Sequence, residues 1–228
     1  EAVDGRCLSE EGKEAGVNWP APRFLHTTTR ITDSRFLIYG GLGCVDFEPM
    51  TGFCVDLARN APFDDLWELD LNLARLKMPP FRRIEYQPAL GGLIGPMSAT
   101  PPGEGHRLFM VGGSKSSGIE QILFGYPPPP TVGTLRVREY RHGEGVASEA
   151  LVFGVGDLWI GATAHNGTHA VLFGGVVHNT LTSIVLVMEM RRGMAPALRQ
   201  LHAAAELPSG RAWHGLAEPE PGKLVIFG

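Results

Sequence analysis

Arg35-Phe36-Leu37-Ile38-Tyr39-Gly40-Gly41 is an apolar run that stops at a glycine pair, and the chain writes it three times in full and a fourth time as far as its first glycine. The other copies are Arg107-Leu-Phe-Met-Val-Gly112-Gly113, His169-Ala-Val-Leu-Phe-Gly174-Gly175 and Lys223-Leu-Val-Ile-Phe-Gly228. Each apolar stretch has the length of a strand. The glycines mark points where the backbone must turn sharply or approach another backbone closely.

Working outward, a second segment precedes each run. These segments are Pro22–Thr29, Gly95–Ala99, Ile160–Ala164 and Ser209–Gly215. His26 stands 14 residues before Gly40, and His214 the same 14 before Gly228. Between segment and run lies a turn signal each time: Thr32-Asp33-Ser34, Pro101–Gly105, Asn166-Gly167 and Glu218–Gly222. Asn-Gly between apolar runs is a strong hairpin signal, because both central residues reach positive φ at little cost. The unit is therefore a β-hairpin, repeated four times. Thirty glycines and eighteen prolines supply the turns this needs and disfavour long helices. One stretch, Ala195–Leu207, reads as a short helix crossing between units.

These residues resemble the Kelch repeat. That family runs from an Arg-x-x-His/Ala-Ser/Thr strand, through a strand ending in Gly-Gly, to a third carrying an acidic-Leu-Trp-x-x-Asp pattern. Arg23-Phe-Leu-His26-Thr27 and Asp64-Asp65-Leu66-Trp67-Glu68-Leu69-Asp70 supply the first and third parts for the first unit. Trp19 sits where the outer-strand Trp of a preceding unit would fall. The resemblance covers nearly the whole chain, strong in the first unit, truncated in the fourth and degenerate in the middle two. The first glycines of successive units, Gly40, Gly112, Gly174 and Gly228, lie 72, 62 and 54 residues apart, against about 50 for a Kelch unit. The surplus falls in loops such as Leu42–Pro62 and Ser114–Thr131. Asp157-Leu158-Trp159 is a displaced candidate for a third-strand motif, and Gly154-Val155-Gly156 marks either a fourth strand or a separate decayed unit.

The resemblance implies an all-β fold, a Kelch-type β-propeller fragment of the type found in the central domain of galactose oxidase, with four-stranded antiparallel blades around a central axis. The expected divisions are an acidic segment at 1–19, the strongest blade at 20–80, degenerate blades at 81–145 and 146–207, and the start of a further blade at 208–228. Gly40, Gly41, Gly112, Gly113, Gly174 and Gly175 would let neighbouring backbones meet, and Trp67 would fill the wedge between blades near the rim. Four partial blades leave two open faces, so a longer chain of about six or seven blades, or a complex, is the expected setting.

Four residues are candidates for binding: Arg23, His26, Arg211 and His214 at the channel mouth. Arg23 and Arg211 could hold a carboxylate or acidic peptide in bidentate fashion, or hydrogen-bond loop carbonyls within the unit. Recurrence of His26 and His214 at one repeat position favours a structural role. His165 and His169 are expected to face each other across the Asn166-Gly167 turn, but no Asp, Glu or Cys joins them at zinc spacing, so no metal is expected. Tyr126-Pro127–Pro130 reads as a short polyproline II segment that aromatic grooves recognise, or as a stiff exposed loop. The 42–62 loop, with Cys44, Asp46, Glu48 and Cys54, is long enough to be a contact surface.

Several classes are disfavoured. A net charge of −4 gives no footprint for nucleic acid or an anionic membrane, and no apolar run approaches the ~20 residues of a spanning helix. Glu1 opens an acidic stretch without the order of a secretory signal. Three cysteines (Cys7, Cys44, Cys54) with no CxxC pair suit free thiols in a cytoplasmic setting. A secreted protein with a Cys44–Cys54 bridge and a sequon at Asn166-Gly-Thr168 is the other reading. There is no Gly-x-Ser-x-Gly, phosphate-cradling loop or carboxylate pair in a catalytic setting, so neither enzyme activity nor cofactor is expected within these residues.

The expected function is a protein–protein interaction scaffold that binds a partner through its loops and channel mouth. Its rival is the propeller portion of a multidomain enzyme, such as a tRNA-modifying methyltransferase, with the catalytic domain outside this chain. The copper-radical oxidases of the family need a Tyr–Cys pair and histidine ligands, whose spacing is not found here. An architectural subunit of a large assembly is a third reading.

Overall fold

The computed structural model describes residues 19–21, 23–43, 62–84, 92–101, 103–114, 134–141, 145–153, 156, 158, 160–166, 168–177, 180–202, 206–220 and 222–228. Among them the chain is nearly all-β, in several small antiparallel sheets with no closed barrel. The first unit holds β1 (Arg23–Phe24), β2 (Thr27–Arg30), β3 (Arg35–Tyr39), β4 (Leu42–Gly43), β5 (Leu66–Asp70), helix α1 (Leu71–Arg75) and β6 (Phe81–Ile84). The second holds β7 (Met97–Ala99), β8 (Arg107–Val111), β9 (Thr134–Arg141) and β10 (Gly145–Phe153). The third holds β11 (Ala162–Asn166), β12 (His169–Phe173), β13 (Val176–Val177), β14 (Thr180–Leu181), β15 (Val185–Glu189) and β16 (Ala197–Leu201). The fourth is the hairpin of β17 (Gly215–Glu220) and β18 (Lys223–Phe227).

Each of the first three units makes one four-stranded sheet: β2-β3-β5-β6, β7-β8-β9-β10 and β11-β12-β15-β16. Their registers match. Arg35 to Tyr39 oppose Asp70 to Leu66, Arg107 to Val111 oppose Arg141 to Val137, and His169 to Phe173 oppose Glu189 to Val185. Successive strand residues point to opposite faces, and here both faces of the middle sheets are covered. Leu108 and Met110 cluster with Leu37 and Tyr39, while Phe109 and Val111 cluster with Ala170 and Leu172. Val171 and Phe173 then pack with Leu216 and Ile226 of the hairpin. A strand buried on both sides must be apolar at every position, so Leu108 to Val111 read as an unbroken run. Each such buried side chain contributes about 2 kcal/mol.

A repeated backbone latch joins the units. Leu25, Gly95, Ile160 and Trp213 are all left-handed (φ 55, 60, 57 and 56) and stand at one repeat position, two residues before the inner strand. Gly95 N–H donates to Leu25 C=O at 2.7 Å, Ile160 N–H to Gly95 C=O at 2.8 Å, and Trp213 N–H to Ile160 C=O at 3.4 Å. The second glycine of each pair adds a parallel link: Gly41 to Leu93, Gly113 to Leu158 and Gly175 to Arg211. The first glycine cannot carry a side chain, since a Cβ on Gly40, Gly112 or Gly174 would run into the carbonyl oxygen of Leu93, Leu158 or Arg211. The glycine pairs are thus fixed by close approach as well as by positive φ.

Several expectations change. Ala197–Leu201, inside the stretch read as a helix, is the outer strand β16, hydrogen-bonded along β15. Pairing to an open sheet edge overrides a weak local propensity. Phe81–Ile84, beyond the division expected at 80, completes the first sheet, and Gly145–Phe153, which spans the division expected at 145, completes the second. Leu158 belongs to no third strand; it precedes Ile160 as Arg23 precedes Leu25. His165 opposes Ala170, and His169 opposes Asn166, so the two histidines lie on opposite faces rather than together. Cys7, Cys44, Asp46, Glu48, Cys54 and the Tyr126–Pro130 segment lie outside the described residues.

Candidate functional site

The latch carries the expected binding residues with it. Two positions before each left-handed residue stand Arg23, Leu93, Leu158 and Arg211. Arg23 donates from Nε to Ala21 C=O (3.1 Å), from Nη1 to Gly40 C=O (3.1 Å), and from Nη1 and Nη2 to the two oxygens of Asp65 (2.5 and 2.9 Å). Its guanidinium also lies 4.3 Å from the Phe63 ring centre. Trp67 Nε1 donates to Asp65 as well, at 2.6 Å. Burial pushes the Asp65 pKa up, but the hydrogen bonds from Arg23 and Trp67 outweigh it and hold the carboxyl below its ordinary range. Arg23 is therefore committed to the sheet.

Arg211 repeats this geometry only in part. Its Nε donates to Ser209 C=O (3.2 Å) and its Nη1 to Gly228 C=O (3.1 Å), as Arg23 does to Ala21 and Gly40. Where Arg23 meets Asp65, however, Arg211 Nη2 meets only the Ser209 hydroxyl, at 3.1 Å. No carboxylate reaches it among the described residues.

His26 and His214 open the inner strands β2 and β17. Desolvation and the neighbouring Arg23 charge lower the pKa of the solvent-facing His26, against a hydrogen bond with the Arg23 backbone that favours the charged form. His214 is 8% exposed and stacks edge-on against Phe173 at 5.4 Å. Burial and the Arg211 charge lower its pKa, and the nearby Phe173 backbone offsets this only in part. Neither ring nitrogen makes a hydrogen bond of good geometry. The four residues so lie at one end of the inner strands, two in the first unit and two in the fourth. Beside them are Phe24, 42% exposed, and Trp213, 62% exposed.

A second feature lies between the third sheet and the β17–β18 hairpin. It is a cleft of about 470 Å³ walled by Val171, Val185, Val187, Leu201 and Leu224. Glu218 closes one end, its Oε1 accepting from Gly222 N–H at 2.7 Å and lying 3.7 Å from His169 Nε2. Its Oε2 is buried and makes no hydrogen bond among the described residues. In the sequence Glu218 is only part of a Pro-rich turn; its place beside His169 follows from the packing of the hairpin on the third sheet. Phe24 and Trp213 likewise stand in the sequence only as motif neighbours, because exposure of an apolar residue has no signature there.

The most buried charges are structural. Arg107, 3% exposed, binds Glu139 at 2.7 Å, Glu104 at 2.6 Å and the Met194 carbonyl at 2.6 Å, while Gly193 N–H donates to Glu104. This network ties the second unit to the β15–β16 turn of the third. Among the described residues no group of three His, Cys, Asp or Glu is placed to hold a metal ion, and no helix is long and apolar enough to cross a membrane.

No family model matches the sequence, and no curated protein does. Among solved structures, YjhT is similar to this chain with a TM-score of 0.55 and 15% identity, over 86% of this chain and 56% of that one. At this identity the likeness concerns the fold alone. The chain spans just over half the length of YjhT.

Proposed function

We propose that this chain is an arc of a Kelch-type β-propeller and that it binds a protein partner through the end of the inner strands where Phe24, His26 and Trp213 lie. The observation that carries the reading is the latch. Four left-handed residues, bonded one to the next, set four hairpins side by side at a regular interval, which is the arrangement blades around an axis require. The resemblance of the first unit to the Kelch pattern and the likeness in fold to YjhT support the same reading. Exposed aromatic residues beside an arginine have the composition that interface centres favour. Free thiols suit a cytoplasmic setting.

The test replaces Phe24 or Trp213 with a photo-reactive phenylalanine in the protein expressed from its complete reading frame, with Arg82 on the outer strand β6 as control. Cross-links to one polypeptide from positions 24 and 213, and none from 82, are expected. Cross-links from 82 alone, or none from any position, overturn the reading. A catalytic domain in the same reading frame would instead favour the propeller portion of a multidomain enzyme.

A further inference from the structure

The turn from β5 to β6 closes α1 on a residue whose side chain does not suit its backbone. Met78 N–H donates to Leu73 C=O and Lys77 N–H to Ala74 C=O, both at 3.0 Å, a paired closure that ordinarily has glycine at the position of Lys77. Lys77 holds φ 57 there. It stands between Leu76 and Met78, which are 69% and 52% exposed. The turn is fixed from below, because Leu71 N–H and Asn72 Nδ2 donate to the carbonyl and hydroxyl oxygens of Ser34, each at 2.8 Å. A rigid turn that keeps a strained cation between two exposed apolar side chains is built for contact beyond the sheet.

The third unit repeats the feature. Its β15–β16 turn carries Arg191, Arg192 and Met194, the last 55% exposed. Contacts place the two turns on one face. Ser34 holds the first, Ile31 of the same hairpin meets the second unit, where a Cβ on Gly105 would stand 3.1 Å from the Ile31 carbonyl oxygen, and Glu104 accepts from Gly193 N–H of the second turn at 3.1 Å. Residues 71–84 hold Arg75, Lys77, Arg82 and Arg83 and no acid, and residues 190–199 hold Arg191, Arg192 and Arg199 and no acid. Arg75 and Lys77 make no ion pair among the described residues. The balance of 20 bases to 24 acids over the whole chain averages this face away. We propose that the face docks on an anionic lipid bilayer, with Leu76, Met78 and Met194 entering the headgroup boundary while Arg75, Lys77 and Arg192 meet the lipid anions. Long basic side chains suit that border, since their stems rest on apolar surface and their heads stay in water. An acidic protein is the alternative occupant; it would need recesses for two tips with the second unit between them, whereas a bilayer yields to both. The face lies at the opposite end of the inner strands from Phe24 and Trp213, so lipid and polypeptide do not compete.

The experiment sediments protein from the complete reading frame with vesicles of phosphatidylcholine alone, or of phosphatidylcholine with about one third phosphatidylserine. Binding roughly tenfold tighter to the anionic vesicles is expected, and it weakens as salt screens the charges. Leu76→Ser with Met78→Ser, and separately Arg75→Gln with Lys77→Gln, each lower the affinity roughly tenfold. Met194→Ser lowers it less. Lys77→Gly separates contact from folding: it relieves the left-handed backbone, so the protein melts higher, while vesicle binding falls about fivefold. Equal uptake by neutral vesicles, no uptake by either, or indifference to the changes at 75–78 overturns the proposal. Tighter binding to soluble polyglutamate than to anionic vesicles also overturns it and assigns the face to an acidic protein. Cross-linking at positions 24 and 213 reads the other end of the inner strands, so either proposal can fail alone.

Discussion

The first and third units solve the same joint differently. In the first, Arg23 and Asp65 form a bidentate ion pair beside the glycine pair. In the third, the residues at those two positions are Leu158 and Ile184, which meet in one apolar cluster. The second unit shows an intermediate: Leu93 is fully buried, and Arg136, at the Asp65 position, turns outward to Glu149. What persists through all three is the backbone, with left-handed Leu25, Gly95 and Ile160 and the paired glycines that receive the next carbonyl. The comparison teaches that backbone geometry is the invariant of this repeat, while side chains change in matched pairs.

The severest way to break that comparison is to alter the invariant. Gly112→Ala places a methyl group against the Leu158 carbonyl oxygen at a φ of 68. Because a backbone atom cannot swing aside, the cost is expected at roughly 3 kcal/mol or more, enough to unfold a marginal domain. Gly103→Ala has nearly the same φ, 70, with nothing within 4 Å of the new Cβ, and should lose only about 1 kcal/mol. Denaturant midpoints of the two variants separate close approach from φ. Equal losses would mean that positive φ alone, and not close approach, requires glycine at these positions.

The next test transplants one solution into the other site. Arg23→Leu alone leaves Asp65 with its charge half-buried and costs about 3 kcal/mol. Asp65→Ile alone strands Arg23 with a similar loss. The double variant recreates the Leu158–Ile184 pair and should return to within about 1 kcal/mol of the parent, a coupling read from a double-mutant cycle. Additive losses would show that the ion pair has a role beyond holding the joint.

This contrast also explains what the sequence could disclose. The four hairpins are legible because strand period and turn chemistry coincide at each of them, with a glycine pair closing the first three and Gly228 the fourth. Leu93 and Leu158 were not legible as counterparts of Arg23, since an apolar replacement of a charge keeps the site and erases the motif. β16 was read as helix because Ala197–Leu201 has helical composition, and only the exposed edge of β15 decides otherwise. The approach of His169 to Glu218 joins two units through the packing of one sheet on the next, which no local pattern encodes. The recurrence of Arg23 and Arg211 is legible in the sequence, but that Arg23 meets a carboxylate and Arg211 a hydroxyl depends on Asp65, forty-two residues from Arg23.

His26 and His214 sharpen the comparison through pH. Both hold pKa values below the ordinary 6.5. The unfolded chain therefore takes up these protons first as the pH falls, and stability declines on passing below about pH 6.5. His214 is the more buried of the two, so His214→Leu is expected to flatten most of this decline, and His26→Leu less of it. A separate acid loss follows at lower pH as Glu104 and Glu139 protonate, because Arg107 holds both below their ordinary range; for Glu104 its hydrogen bond dominates, and for Glu139 it overcomes the opposing effect of burial. Urea titrations from pH 8 to 4 resolve the two windows. An unchanged slope in His214→Leu would place the neutral-range dependence elsewhere.

The smallest effect expected runs against the usual direction. Trp213 holds φ 56 while its side chain is 62% exposed, whereas the equivalent Gly95 holds φ 60 without penalty. A large side chain kept in a left-handed conformation and packed against little contributes strain without much burial in return. Trp213→Gly should then raise stability by a few tenths to about 1 kcal/mol, the strain relieved less the apolar contact and chain entropy lost. The same variant should lose the partner cross-link proposed for this surface. A gain in stability together with a loss of binding is the signature of a residue retained for contact rather than for folding. If Trp213→Gly destabilises the chain, the indole is a packing residue of the fourth unit, and Phe24 becomes the aromatic residue on which contact at that end depends.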